Sequence, residues 1–215
     1  MANTESLRAV AGVLVGGRST RMGRPKASLP LPGGRTLAEH VVDVAGRMSP
    51  WIEEVVILGG GQEVPDSLSG LRILADHEPG GGPLSGLCAL LEFAEERWGL
   101  LLACDLPRLQ PIVLTRLFAE ASTGCDAAAF RRSDHPDAWH ACCALYHSRL
   151  LPAGRRELQH GRRSLQSLLA AAFVVTLTPS PEEEHMLADL DRPEDYDRLF
   201  SADGQEALRP PADRQ

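Results

Sequence analysis

Val10-Ala11-Gly12-Val13-Leu14-Val15-Gly16-Gly17-Arg18-Ser19-Thr20-Arg21-Met22-Gly23-Arg24-Pro25-Lys26 is the stretch from which the rest of the chain is read. Its first half is apolar and β-prone, and Gly16-Gly17 breaks it into a polar loop that carries Arg18, Arg21, Arg24 and Lys26. A buried strand that delivers a glycine turn and cations to one place can hold a polyphosphate. Glycines let backbone N–H groups approach the anion, and the cations neutralise its charge. The plainer alternative is a tight turn with a solvated basic loop; four cations and the Arg21-Met22-Gly23 turn favour the phosphate reading. Lys26 closes the loop, precedes an apolar run and is the candidate for direct phosphate contact, where a point charge opposes developing negative charge. Arg21 is the second candidate, and Arg18 and Arg24 read as solvent-facing.

Around this basic loop the chain is acidic, with a net charge of −7 over 215 residues. That balance disfavours a general nucleic-acid surface and suits a small anionic ligand better than a long polyanion. The 43% apolar content supports a substantial core, and only 5% aromatics means that Leu, Val and Ala build it. Cys88, Cys104, Cys125, Cys142 and Cys143 form an odd set without CxxC spacing, read as reduced thiols of a cytoplasmic protein. Residues 8–17 imitate a secretory leader, but the run is short, glycine-rich and followed by four cations, so none is expected. No run approaches about 20 apolar residues, so no membrane span is expected either.

Downstream, Thr36 and Glu39 have capping-box spacing ahead of a helix reaching about Met48. Strands are predicted at 54–58, ended by Gly59-Gly60-Gly61, and at 71–75, with Asp76 at the carboxyl end. The cluster Pro79-Gly80-Gly81-Gly82-Pro83 opens another helix, whose apolar face holds Leu84, Leu87, Cys88, Leu91 and Ala94. Residues 99–104 are almost wholly apolar, as a strand covered on both faces should be, and run directly into Asp105. Alternating strand and helix patterns imply a mostly parallel sheet with right-handed crossovers. Residues 112–121 read as a helix, 126–131 and 138–146 as an antiparallel strand pair, and 150–158 and 163–171 as helices. A late strand at 173–177, a solvated Glu182-Glu183-Glu184 loop and a final helix capped by Asp191 follow. The expected architecture is a single-domain, Rossmann-like three-layer α/β sandwich over residues 1–200, with an antiparallel addition in the second half and a disordered tail at 201–215.

Ligands of such sheets bind beyond the carboxyl ends of the strands. The Gly16 loop, Gly59, Asp76 and Asp105 all fall there. A carboxylate ending an apolar strand must be capped or bound to a cation, because an unpaired buried charge is costly. Asp105 is therefore read as a Mg²⁺ ligand, magnesium favouring carboxylates together with substrate phosphate oxygens; the alternative is that it caps the helix after Pro107. Asp76 either contacts a nucleotide, shares the metal, or is an ordinary turn residue. His135, His140 and His147 match no usual zinc spacing, and strand alternation spreads them over both faces. Neither a nucleophile elbow nor a Walker lysine–serine pattern is present.

Leu14-Val15-Gly16-Gly17, Ser19, Arg21-Met22-Gly23 and Lys26 resemble the L-A-G-G-x-S-x-R-M-G-x-x-K signature of nucleotidyltransferases. Gly82-Pro83-Leu84-Ser85-Gly86, Cys104-Asp105-Leu106-Pro107 and Asp134-His135-Pro136 resemble segments of the molybdenum cofactor guanylyltransferases within that superfamily, and Gly161-Arg162-Arg163-Ser164-Leu165 fits that family's G-x-R-S turn. The resemblance spans about Val10 to Leu199. It implies transfer of GMP from GTP to molybdopterin or Mo-molybdopterin, with release of pyrophosphate. It further implies Mg²⁺ on Asp105, and nucleotide contacts from Leu14, Val15, Gly16, Gly17, Lys26, Asp76 and Asp105, with Pro83 and Leu84 near the base. Transient contact with other cofactor-assembly proteins also follows. Three departures stand out: Val15 in place of alanine, Leu58-Gly59-Gly60 where an asparagine is usual, and Asp189 and Asp191 where the family's N-x-N-T-P-E segment has amides. Transfer from CTP or to another phosphorylated acceptor, and nucleotide binding without turnover, are the competing expectations.

Overall fold

The computed structural model describes residues 7–15, 25–59, 64–121, 124–190 and 195–196. Seven strands form one sheet in the order β3-β2-β1-β4-β6-β5-β7. They are β1 (Ala9–Leu14), β2 (Ile52–Leu58), β3 (Ile73–Leu74), β4 (Trp98–Ala103), β5 (Ala127–Arg131), β6 (Trp139–His147) and β7 (Val174–Leu177). Neighbouring strands are parallel except where β6 meets β4 and β5. Among the described strands only β6 is reversed, so its amino end lies at the same rim as the carboxyl ends of the others.

Helices cover both faces: α1 (Leu37–Gly46), α3 (Pro111–Glu120) and α6 (Pro181–Met186) on one, and α2 (Gly82–Ala94), α4 (Leu151–Gln159) and α5 (Leu165–Ala170) on the other. The two-residue period of β1 divides its side chains between the layers. Ala9, Ala11, Val13 and Val15 join the core under α1 and α3, whereas Val10 joins the core under α2 and α4. Gly12 faces the α2 side, and there a Cβ would lie 2.7 Å from Leu58 Cδ1 and 2.9 Å from Leu90 Cδ2. Its absence lets α2 pack directly on the central strand.

The capping box at α1 forms as its spacing predicts. Glu39 N–H donates to Thr36 Oγ1 at 3.2 Å, and Thr36 N–H donates to Glu39 Oε2 at 2.6 Å. On the same helix His40 Nε2 donates to the Leu109 carbonyl at 3.0 Å, tying α1 to the entry of α3. The antiparallel pairing of β5 with β6 is present as well.

Two expectations change. The strand predicted at 71–75 contracts to Ile73–Leu74, because β3 is a sheet edge that pairs with β2 only through Ile57 and Leu58. The Glu182–Glu184 run is no solvated loop but part of α6, which Ser180 and Glu183 cap reciprocally. Glu183 is buried and accepts from Arg116 of α3, and Arg116 Nη2 donates to the Thr178 carbonyl at 3.0 Å. Glu184 accepts from Ser133 Oγ at 2.9 Å. The triplet reads as surface in sequence because its partners lie far away along the chain. Asp191, the expected cap of a last helix, and the tail at 201–215 lie outside the described residues.

Two outcomes follow for stability. Gly12→Val forces the Leu58 and Leu90 side chains apart and should cost about 1–3 kcal/mol, read from the urea midpoint at unchanged slope. Burial pushes His40 and His140 below the ordinary histidine value of 6.5, so the unfolded chain binds protons that the folded chain resists. Stability should therefore fall as pH is lowered from 7.5 through about 6.5 toward 5.5. Urea midpoints across that range should shift monotonically, and less in His40→Gln; a flat profile would contradict the assignment.

Candidate functional site

β1 lies between β2 and β4, and the chain visits β2 and β3 on one side before crossing to β4 on the other. A crevice at the carboxyl ends of β1 and β4 is the expected ligand position for this strand order. Leu14 and Ala103 pair there. The Cys104 N–H donates to the Leu14 carbonyl at 3.1 Å, which aligns the loop after β4 with the end of β1.

Two residues singled out in the sequence meet at this crevice. Lys26 begins a 3₁₀ turn over Lys26–Ser28, and its Nζ donates to Asp105 Oδ2 at 2.9 Å across 79 residues of sequence. Both side chains are about one-fifth exposed, 22% and 19%, so the pair is neither dry nor fully solvated. The capping alternative for Asp105 fails, because the residue ahead of α3 is Gln110. Asp105 instead offers a partly exposed carboxylate that already holds a cation.

The remaining expected residues divide. Val15 is buried under α1, and its N–H is spent on the Leu58 carbonyl at 3.1 Å. Its extra bulk therefore points away from the crevice, and backbone donors to a phosphate cannot begin at Val15. Gly16, Gly17 and Arg21, together with Arg18 and Arg24, lie outside the described residues, as do Gly60 and Gly61. Leu14 is half-buried and packs toward Gly86 of α2. At the start of α2, Pro83 is exposed, but Leu84 is fully buried among core side chains. Leu84 can reach a ligand only through its backbone. Ser85, which sequence reading passed over, orders the preceding glycine loop: the Glu78 N–H donates to Ser85 Oγ at 2.6 Å, and that hydroxyl donates to the Glu78 carbonyl at 3.0 Å. Asp76 follows β3, which stands three strand spacings from β4, about 14 Å. Partial burial raises its carboxyl above the usual aspartate value.

Beside Asp105 a pocket of about 150 Å³ opens between the carboxyl end of β4 and the amino end of β6. Asp189, Arg132, Trp139, His140 and Gln166 line it with Asp105. Arg132 donates through Nε and Nη2 to the two oxygens of Asp134 at 2.9 and 3.0 Å, and its Nη1 lies 3.8 Å from Asp189 Oδ2. That fork holds the Asp134 carboxyl down at about 2. Gln166 of α5 both donates to the Trp139 carbonyl and accepts from its N–H, at 2.8 and 3.0 Å, which fixes the start of β6. His140 Nε2 stands 3.3 Å from Glu184 Oε1. Burial, with the charges of Asp105 and Asp189 adding to it, pushes the Cys142 thiol up to about 12, so it stays protonated. Sequence reading missed Arg132, Trp139 and Gln166. Their only linear signal was nearness to Asp134-His135-Pro136 and to the turn before Ser164, which caps α5.

Two cations face three carboxylates here: Lys26 pairs with Asp105, and Arg132 with Asp134 and Asp189. Among the described residues, no helix is long and apolar enough to cross a membrane. In that set no group of three or more His, Cys, Asp or Glu side chains could by itself hold a metal ion.

Comparison with known proteins places this arrangement. The family model described as "MobA-like NTP transferase domain" matches residues 11–180. A relative from Opitutus terrae, named "Probable molybdenum cofactor guanylyltransferase", is 34% identical over 198 residues, covering 88% of this chain and 94% of that one. A Nostoc protein of the same name is 32% identical over 192 residues, covering 85% and 86%. Among solved structures, molybdopterin-guanine dinucleotide biosynthesis protein A from Archaeoglobus fulgidus superposes with a TM-score of 0.71 at 24% identity, over 87% of this chain and 95% of that one. By the extent of the family match, its signature loop and its sheet order, the chain belongs to the MobA-like NTP transferase family.

Proposed function

We propose that this chain transfers GMP from GTP to molybdopterin, or to its molybdenum-loaded form, releasing pyrophosphate. The observation that carries this reading is the contact between Lys26 and Asp105 at the rim of the pocket, in a chain whose relatives bear the guanylyltransferase name. An oxygen of the acceptor's terminal phosphate attacks the α-phosphorus of GTP, and the bond to the bridging α–β oxygen breaks as pyrophosphate leaves. Lys26 is in position to exchange its carboxylate partner for phosphate oxygens. Asp76, near the far edge of the sheet, suits a contact with the distant end of the nucleotide better than a shared metal.

Asp105 also fits a divalent cation. Its carboxylate supplies hard oxygen donors and is partly exposed, with Lys26 held at Oδ2. Mg²⁺ takes one or two carboxylates and fills its remaining positions with water and substrate phosphate oxygens, so no larger cluster of side chains is needed. Bound there, Mg²⁺ would supply charge neutralisation on the α-phosphate and the leaving pyrophosphate.

Pyrophosphate release with molybdopterin and each of the four nucleotides in turn tests the assignment. GTP should be the preferred donor; preference for CTP would make the chain a cytidylyltransferase instead. Asp105→Ala should lower kcat at least 10²-fold, the rough scale for losing one electrostatic stabiliser, while the thermal midpoint shows the fold intact. Lys26→Ala should lower kcat/KM for GTP by a similar factor. Full turnover in Asp105→Ala would remove that residue from the chemistry.

A further inference from the structure

A small apolar cluster stands apart from the two cores on the sheet faces. Leu29, Leu31, Leu37 and Leu190 compose it, with Tyr196 packed against them. Leu29 and Leu31 follow the turn that begins at Lys26, and the Leu29 N–H donates to the Lys26 carbonyl at 3.0 Å. The Leu37 N–H at the start of α1 donates in turn to the Leu29 carbonyl at 2.9 Å. Leu190 is buried in this cluster, and its N–H donates to the carbonyl of Asp105 itself at 3.0 Å. The hydroxyl of Tyr196 donates to the Pro30 carbonyl at 2.7 Å, across 166 residues of sequence. Leu190 and Tyr196 therefore reach both sides of the Lys26–Asp105 pair, Leu190 through the backbone of Asp105 and the leucine cluster, and Tyr196 through Pro30.

We infer that Leu190 and Tyr196 are positioning residues for nucleotidyl transfer, a proposal that rests on the guanylyl-transfer reading of the Lys26–Asp105 site. Neither residue lines the pocket beside Asp105. Together they hold the turn that carries Lys26 at a fixed separation from the loop that carries Asp105. Asp189, the residue before Leu190, lines the pocket, so contact at the pocket wall reaches the same strut. Catalysis by positioned charge is sensitive to displacements of about 1 Å, and that gives such a strut its leverage.

The test compares Tyr196→Phe, Leu190→Ala and Leu190→Met with Val44→Ala, a core truncation under α1 away from the cluster. Each variant is read for thermal midpoint, kcat, KM for GTP, and the affinity of Mn²⁺ for the protein with a non-hydrolysable GTP analogue, by electron paramagnetic resonance of free Mn²⁺. Tyr196→Phe and Leu190→Ala should each lower kcat about tenfold and weaken Mn²⁺ binding, leave KM for GTP within about twofold, and be rescued at position 190 by Met. Val44→Ala should lower the thermal midpoint with kcat and Mn²⁺ affinity unchanged. Parental kcat and Mn²⁺ affinity in the folded strut variants would overturn the proposal, as would an equal loss in Val44→Ala. If Leu190→Ala does not fold, Tyr196→Phe decides alone. Asp105→Asn separates the layers: parental turnover there defeats the underlying site reading, whereas its loss beside parental strut variants defeats the strut alone.

Discussion

Everything at the rim depends on β1 being enclosed on four sides. It is hydrogen-bonded to β2 and β4, and helices lie over both of its faces. A strand so enclosed must be apolar throughout, and its polar continuation has only one exit, beyond Val15. β4 runs parallel beside β1 and ends at the same rim, which is why a lysine after β1 and an aspartate after β4, 79 residues apart in sequence, arrive within hydrogen-bonding distance. The backbone bonds Val15 to Leu58 and Cys104 to Leu14 carry this alignment one residue past the paired strands.

The ion pair at the exit is not what keeps the protein folded. With each partner about one-fifth exposed, water competes for both groups, and pairs of this kind contribute about 1 kcal/mol or less. Its importance is that it can be given up cheaply. A fully buried lysine–aspartate pair would resist separation, since each charge would be left in a low dielectric. A fully exposed one would not fix the geometry. The intermediate setting keeps the two groups aligned while letting each change partner.

Sequence made the first half legible and the second half only partly so, for reasons visible in particular residues. The run before Gly16, the capping box at Thr36 and Glu39, and the apolar stretch ending at Asp105 are local patterns whose meaning does not depend on distant partners. Lys26 and Asp105 were found because strand ends and loop cations can be read along the chain. Glu183 was misread because its partner, Arg116, is 67 residues away. Arg132, Trp139 and Gln166 went unnoticed for a similar reason: the reversal of β6 is what turns its first residues toward Asp105, and no linear pattern reports which neighbours a reversed strand will have. Leu84 and Val15 were assigned to the ligand by position in a motif; burial withdraws both side chains, and at Val15 the backbone N–H is already spent on Leu58.

The reversal of β6 also divides the rim by how freely it can change. On the parallel side, the loops after β1, β3 and β4 each lead into a helix on the sheet, so their length and shape are constrained by helix packing. On the β5–β6 side, the connection from Arg132 to Ala138 is a surface turn that leads straight back into the sheet and touches α6 through Ser133 and Glu184. Between Asp134 and Asp137 such a turn can lengthen, shorten or exchange charge without disturbing the pairing of β1 with its neighbours. The fold therefore holds the rim around Lys26 and Asp105 under strict geometric control while leaving the opposite wall of the pocket open to divergence.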